Sequence, residues 1–169
     1  MHELEQMSKE EIIRWLEDNA KLWLAHDGLW FQSIEKKRGI DEAIEHDKNA
    51  WARFSPFEAK KIKQRLNLSD RPGIDGLKKA LGHRIYALLN KQEVIDETEN
   101  SIVFRMNVCR VQAARNRKGM PDFPCKEVGI VEYSTFAKAI DERFECECIG
   151  CPPDEHPDEW HCAWKFTLK

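Results

Sequence analysis

The residues best able to do chemistry are the six cysteines, all of which lie beyond residue 108. Four of them fall within one stretch, ECECIGCPPDEHPDEWHC. Cysteines that only fill an apolar core would be expected in the first half of the chain as well, since a free cysteine packs as a small hydrophobe. The clustering indicates a metal site or a thiol-based active site, with structural thiols or three disulfides as the alternatives.

Zinc is the metal that these cysteines favour, because a structural zinc ion is held by four thiolate or imidazole ligands. Cys151 and Cys162 bracket a proline-rich loop at the end of a predicted hairpin, so their sulfurs can approach each other. An all-cysteine set is more typical of structural zinc, since catalytic zinc keeps a position open for water. The predicted ligands are Cys109, Cys125, Cys151 and Cys162, with Cys148 and His156 as substitutes and Cys146 as a core residue.

A basic segment surrounds the first of these cysteines. Residues 105–119 contain several arginines and a lysine but no acidic residue, so they can hold a carboxylate or phosphate and lower the pKa of a neighbouring thiol. The alternative is a solvated basic face that pairs with the acidic segment 141–159. His156 can reach the site from its loop, whereas His161 lies on the opposite strand face from Cys162. Glu132 is either a metal ligand or general base, or a residue at the solvent boundary of its helix.

The elements that must position these residues follow from hydrophobic periodicity. Apolar residues recur at helical spacing up to residue 89, which predicts four helices. Ser8 and Glu11 form a capping box for the first helix, and Gly28 and Gly39 punctuate the helices. The fourth helix is predicted over residues 74–89. The aromatic residues of this half are predicted to pack in the core or to line a ligand pocket: Trp23, Trp30, Trp51 and Phe54, with Leu29 among their aliphatic neighbours.

After Asn90 the period changes to two, which predicts a hairpin over residues 93–108. A short helix over 109–118, a longer one over 127–140 and two more strands follow. The fold class is therefore α+β, with N-terminal helices followed by an antiparallel sheet that carries helices on one face. The helical part spans 1–90 and the cysteine-rich part 91–169, together as one compact domain.

Composition excludes several classes of function. The net charge is −3 and the pI is near 6.1, which gives no global attraction to nucleic acid or to an anionic membrane. No secretory signal and no run of about 18 apolar residues is present, so we expect a cytoplasmic protein that does not span a membrane. No G-x-G-x-x-G or G-x4-G-K-[ST] motif predicts a nucleotide cofactor.

Two stretches of the C-terminal half, FPCKEVGIVEYSTFAKAI and RFECECIGCPPDEHPDEWHCAWKFTL, resemble the 4-vinyl reductase type of small-molecule-binding domain. The shared features are Cys125 before a helix, Cys151 before a loop, and Cys162 with Trp164 in the last strand. In phenol-sensing regulators of that group three cysteines hold zinc beside the ligand pocket. The resemblance implies a zinc-binding domain with a small organic ligand, although the loop from Cys151 to Cys162 is longer here.

The span from Cys109 to the end, together with LWFQSIEKKRGIDEAIEHDKNAWARF, resembles the L-2-amino-thiazoline-4-carboxylic acid hydrolase-like family and a related group of cytosolic proteins. This implies an alternative function, hydrolysis of a non-peptide C–N bond in a cyclic amide or amidine. Arg110 or Arg115 would then hold a carboxylate, and Cys125 or a metal-bound water would attack. A third possibility is a homodimeric interaction module without chemistry, marked by an exposed apolar helix face and the lack of a pocket.

Overall fold

The first half of the chain consists of long helices. The computed structural model describes residues 3–169, which begin with a 3-10 helix at Glu3–Gln6. Helix α1 (Lys9–Arg38) starts at Ser8 with the predicted capping box, in which Ser8 Oγ accepts from the Glu11 amide at 3.2 Å and Glu11 accepts from the Ser8 amide at 2.8 Å. Helix α2 (Ile40–Arg65) follows directly. Gly39 separates the two helices at a φ of 97°, a conformation that favours glycine.

The prediction of four helices was wrong in two places. Gly28 does not end a helix but lies inside α1, because an interior glycine costs a helix only about 1 kcal/mol, which a long helix packed on its neighbours tolerates. The predicted helix over 74–89 is a shorter α3 (Gly73–Leu81) and a separate 3-10 helix (Ile85–Leu88). Arg84, between them, has extended backbone.

The second half forms one antiparallel sheet with two helices. The strands are β1 (Lys91–Ile95), β2 (Ser101–Val108), β3 (Phe144–Gly150) and β4 (Cys162–Leu168), in the order β1-β2-β4-β3. Helices α4 (Arg110–Arg117) and α5 (Lys126–Ile140) lie between β2 and β3 in the chain. The α+β class predicted from the sequence is confirmed. In the register of the central strands Met106 is opposite Cys162, and Phe104 is opposite Trp164.

The main core lies between α2, α5 and the sheet. Its most deeply buried side chains have no more than 1% exposure and come from both halves of the chain: Leu77, Leu81, Ile102, Phe136, Ile140, Phe144, Trp164 and Phe166. A second, aromatic cluster joins α1 and α2 through Trp23, Trp51, Phe54 and Tyr86.

Two residues expected in the core of the N-terminal half are instead on the surface. Leu29 is 65% exposed and Trp30 is 64% exposed. A helix that runs through Gly28 directs its inner face through Trp23, Asp27 and Phe31, which turns Leu29 to the opposite side and leaves Trp30 at the edge of the inner face. The prediction of Trp30 as a core or pocket residue was wrong.

A cavity beside a cysteine cluster

A cavity lies between α1, α2 and α4 on one side and α5, β2 and β4 on the other. Its volume is about 120 Å³, which approaches the roughly 150 Å³ of an engineered cavity that binds benzene. Most of its lining is apolar or aromatic, and the remainder includes three carboxylates and four thiols. The lining includes Leu24, Asp27, Gly28, Phe31, Asp47, Trp51, Tyr86, Met106, Cys109, Gln112, Phe123, Cys125, Glu132, Tyr133, Cys151, Cys162 and Trp164.

The fold brings four cysteines into the lining of this cavity. Cys125 Sγ lies 3.4 Å from Cys151 Sγ, and Cys162 is close enough to raise the pKa of Cys151. Cys109 is near enough for its charge to act on Cys162 and Cys125. These are the four residues that the sequence predicted as metal ligands. Cys146 and Cys148, on β3, do not line the cavity.

Specific backbone contacts hold the loops that carry these thiols. The amide of Lys126 donates to Pro152 O at 2.9 Å, which ties the loop after Cys151 to the start of α5. The side chain of Gln112 is only 1% exposed and forms two hydrogen bonds with the backbone of Phe123. Its Nε2 donates to Phe123 O at 2.8 Å, and its Oε1 accepts from the Phe123 amide at 2.9 Å. Nε2 also lies 3.7 Å from Cys125 Sγ. Gln112 therefore fixes the residues that lead into Cys125.

Two of these four thiols, Cys109 and Cys151, are held in their neutral form. Burial raises the pKa of Cys109 to about 12. The hydrogen bond with Cys125 and the nearby thiol of Cys162 raise the pKa of Cys151 well above its usual range, and burial adds to the rise. On β3, burial raises the pKa of Cys148 to about 11 and that of Cys146 to about 12. A neutral thiol is a poor nucleophile, and coordination to a cation is one way to stabilise its thiolate.

The thiol geometry partly matches the requirements of zinc. Two sulfur ligands of a tetrahedral zinc ion are about 3.8 Å apart, given Zn–S bonds of about 2.3 Å, and the separation of Cys125 and Cys151 is close to this value. However, no group of three or more His, Cys, Asp or Glu side chains within residues 3–169 stands in a metal-holding arrangement. The donor set suits zinc, but the ligand shell is not closed.

The cavity lining also contains two carboxylates that were not predicted from the sequence, Asp27 and Asp47. Burial raises the pKa of Asp47 to about 7, and the charges of Asp27 and Glu132 add to the rise, while a hydrogen bond from Trp51 opposes it. Burial also raises the pKa of Asp27. None of the salt bridges in the described part of the chain involves either aspartate. The available signal was their register, because Asp27 lies between Trp23 and Phe31 at i±4 and Asp47 precedes Trp51 by four.

Glu132 belongs to a buried ion-pair network in which the charge of an arginine compensates the charges of two carboxylates. Arg84, 3% exposed, lies 2.8 Å from Glu58 and 2.7 Å from Glu132. Its guanidinium also stacks over Phe136 at 4.6 Å and Trp51 at 5.7 Å. Glu132 is thus 7% exposed and not at the solvent boundary of α5. It lines the cavity but does not group with three metal-ligand side chains.

The basic segment has partners other than the acidic stretch 141–159. Arg115 forms a bidentate ion pair with Glu35 at 2.9 and 3.0 Å, and Arg105 approaches Glu93 at 3.8 Å. The alternative prediction that this segment pairs with residues 141–159 was therefore wrong for these two arginines. Arg110 is exposed and borders a separate groove between α1 and α4.

Of the predicted ligand-binding residues, only Arg115 lines the cavity. Its guanidinium is engaged by Glu35, so a carboxylate ligand would have to compete with that ion pair. His156 is half-buried on the loop before β4, where its ring stacks on that of Trp160 with 5.9 Å between the ring centroids. His161 lies near His156, and burial lowers its pKa. Their roles in binding stay predictions.

The overall arrangement of helices and sheet is similar to that of a solved structure. The chain is similar to a trafficking protein particle complex subunit 3 from Naegleria fowleri, which was crystallised covalently bound to palmitic acid. The TM-score is 0.57 at 10% identity, over 89% of this chain and 95% of that chain. At this identity the likeness concerns the fold.

The chain belongs to a family of unknown function, DUF6125, whose model matches residues 5–168. No curated protein matches it significantly. In the described residues, no helix has the length and apolar character needed to cross a membrane.

Proposed function

We propose that this protein binds a small organic ligand in the cavity and holds a structural zinc ion through Cys109, Cys125, Cys151 and Cys162. The observation that carries the ligand proposal is the cavity itself, which has an aromatic wall and room for about one ring. The support for zinc is the presence of four thiols in its lining. A cytoplasmic location, where thiols stay reduced, is part of the proposal.

The polar part of the cavity lining favours a ligand with a cationic or hydrogen-bond-donating group. Asp27 and Asp47 face the cavity without an ion-pair partner in the described residues, and the one arginine in the lining is paired with Glu35. A bound cation would offset the cost of ionising the two aspartates. A long fatty acyl chain, such as the palmitate of the structural neighbour, fits a cavity of this size and polarity less well.

Benzamidine and benzoate are matched probes for this proposal, because both carry one aromatic ring and they differ in the sign of the charge. We expect benzamidine to quench the fluorescence of Trp51 and Trp164, which line the cavity, at lower concentration than benzoate does. Asp47→Asn should reduce the preference about tenfold, equivalent to roughly 1.4 kcal/mol. Quenching by neither probe, or equal quenching by both, would contradict the proposed ligand class.

Zinc is tested separately by elemental analysis of protein purified without added metal. We expect about one zinc per chain and a loss of that zinc in Cys151→Ser. Cys146→Ser is the matched control, since Cys146 is a buried thiol away from the cavity and its removal should leave the metal content unchanged. A fully folded protein without metal would refute the zinc site while leaving the ligand proposal to its own test.

One observation favours a second candidate function, the hydrolysis of a C–N bond in a cyclic amide or amidine. A carboxyl group with a pKa near 7 is well suited to general acid–base catalysis at neutral pH, and Asp47 has this property inside the cavity. The catalytic candidates are then Asp47, Cys125 and Glu132. Turnover of a cyclic amidine that disappears in Asp47→Asn with the fold retained would support this function, and its persistence would exclude Asp47 from the chemistry.

A further inference from the structure

The outer face of α1 carries an apolar stripe that nothing in residues 3–169 covers. Trp15, Leu22 and Leu29 are 46%, 68% and 65% exposed. They are seven residues apart, a spacing that keeps side chains on one side of an α-helix. The inner face of the same helix is occupied, because α1 packs on α2 and on the 3-10 helix at Ile85–Leu88. Exposed apolar surface of this extent is typical of a protein interface.

The charges along α1 are polarised. The first turns are acidic, with Glu10 and Glu11, and the last turn is basic, with Lys36, Lys37 and Arg38. Within the stripe, Asp18 lies between Trp15 and Leu22, and His26 lies between Leu22 and Leu29. The stripe is symmetric in position about Leu22, with a carboxylate four residues before it and an imidazole four residues after it. Asp18 also pairs with Lys21 of its own helix at 2.9 Å.

A basic groove adds to this polarity. It lies between α1 and α4 next to Leu29, and its charged residues are Lys21, Arg110, Arg117 and Lys118. No acidic residue lines it. The Leu29 end of the stripe is therefore positively charged on its flank, while the Trp15 end is negatively charged.

We propose that α1 packs antiparallel against α1 of a second copy of this chain, around a two-fold axis at Leu22. In that arrangement Leu22 meets Leu22 of the second copy, Trp15 meets Leu29, and Asp18 meets His26. The acidic start of each α1 then lies beside the basic groove of the other chain. A two-fold interface requires one surface to be complementary to itself. A stripe with a hydrogen-bond-accepting carboxylate and an imidazole at equal distances from its centre has that property.

The other ways to cover the stripe fit less well. A parallel pairing would place Asp18 next to Asp18 and the basic ends next to each other. An anionic lipid surface would meet the carboxylates Glu10, Glu11 and Asp18 on the same helix and would gain little from its nearly balanced charge. The proposed dimer also leaves the cavity accessible to the same ligands, because the cavity lies on the opposite, inner face of α1 at Leu24, Asp27 and Phe31.

Sedimentation equilibrium tests the proposal. We expect the wild-type protein to have twice the mass of one 19.8 kDa chain. Leu22→Glu, which places two carboxylates on the axis, should raise the dimer dissociation constant at least about tenfold. Phe57→Glu is the matched control, because Phe57 is an exposed apolar residue on α2 outside the stripe, at 58% exposure. It should leave the dimer unchanged.

Charge exchange identifies the orientation. Asp18→Arg alone should weaken the dimer, and the double variant Asp18→Arg with His26→Glu should restore it, because the two positions face each other only in the antiparallel arrangement. Circular dichroism of each variant reports that the chain is folded. A monomeric wild-type protein, whether or not it binds anionic vesicles, would overturn the proposal. A dimer insensitive to Leu22→Glu, or one that the double variant does not restore, would overturn it as well.

Discussion

Two sets of carboxylates lie in or next to the cavity lining, and they differ in whether a cation pairs with them. Glu58 and Glu132 share the guanidinium of Arg84 at 2.8 and 2.7 Å. Asp27 and Asp47, which line the cavity with Glu132, form no ion pair in the part of the chain that the structure describes. The first set is compensated by the protein, whereas the second set carries an electrostatic cost that only protonation or a ligand removes.

This difference separates structural from functional charge. The Arg84 network joins α2, the segment before the second 3-10 helix and α5, and its guanidinium packs on aromatic rings as well as carboxylates. It can therefore hold the two halves of the chain together. The aspartates do not stabilise the free protein, and proteins that keep such groups commonly use them in binding or catalysis.

The largest expected effect is the loss of stability when the cation shared by Glu58 and Glu132 is removed. Arg84→Met should lower the free energy of unfolding by about 3–5 kcal/mol, because it leaves two buried carboxylates without a cation. The double variant Arg84→Met with Glu132→Gln should be less destabilised than the single variant, since one of the uncompensated charges is removed. Urea denaturation at pH 7 measures both. A loss below about 1 kcal/mol in Arg84→Met would show that the network is not the structural one.

The Arg84 network also shows which contacts cannot be predicted from the sequence. Alternation predicted the strands, and the spacing of Ser8 and Glu11 predicted the start of α1, because both signals lie within a few residues. The positions of the four predicted zinc ligands also follow from local signals, because each was assigned to the end of a strand or the start of a helix. All four line the cavity. Arg84 contacts Glu132 only in the tertiary fold, and no local spacing in the sequence predicts this contact.

The errors in α1 have the same origin. Gly28, Leu29 and Trp30 were assigned from local propensity, but the face of α1 that becomes buried is set by α2 and Tyr86, which pack against Trp23. Asp27 and Asp47 were passed over because acidic residues on a helix are usually solvated. Their positions in register with Trp23 and Trp51 were the evidence that they point inwards.

The second largest effect is expected at Asp47, one of the two aspartates without an ion pair. Asp47→Asn should raise the free energy of unfolding by about 1–3 kcal/mol at pH 8, because the half-buried carboxylate no longer has to ionise. The pKa of Asp47 is raised to about 7 in the folded protein, so the folded state binds more protons than the unfolded state between about pH 4 and pH 7. The contribution of Asp47 to stability therefore falls as the pH rises through this window.

Urea denaturation of wild type and Asp47→Asn at pH 5 and pH 8 checks this prediction. The advantage of the variant should be larger at pH 8 than at pH 5. Glu45→Gln is the matched control, since Glu45 is an exposed carboxylate one half-turn away on α2, and its effect should stay within about 0.5 kcal/mol at both values. If Asp47→Asn is destabilising at pH 8, the aspartate has a cationic partner in solution and the contrast with Arg84 fails.

The smallest effect concerns the cavity wall next to Asp27. A Cβ added at Gly28 would have only Gln32 Nε2 within 4.0 Å, so Gly28→Ala meets no steric obstacle and should stabilise α1 by about 0.5–1 kcal/mol. Gly28→Leu would keep the helix but place a larger side chain at a residue that lines the cavity. We therefore expect Gly28→Ala to raise stability with little change in benzamidine binding, and Gly28→Leu to weaken that binding about tenfold or more. Thermal unfolding and fluorescence titration measure the two quantities separately, and unchanged binding in Gly28→Leu would mean that ligands do not use the part of the cavity where the uncompensated aspartates lie.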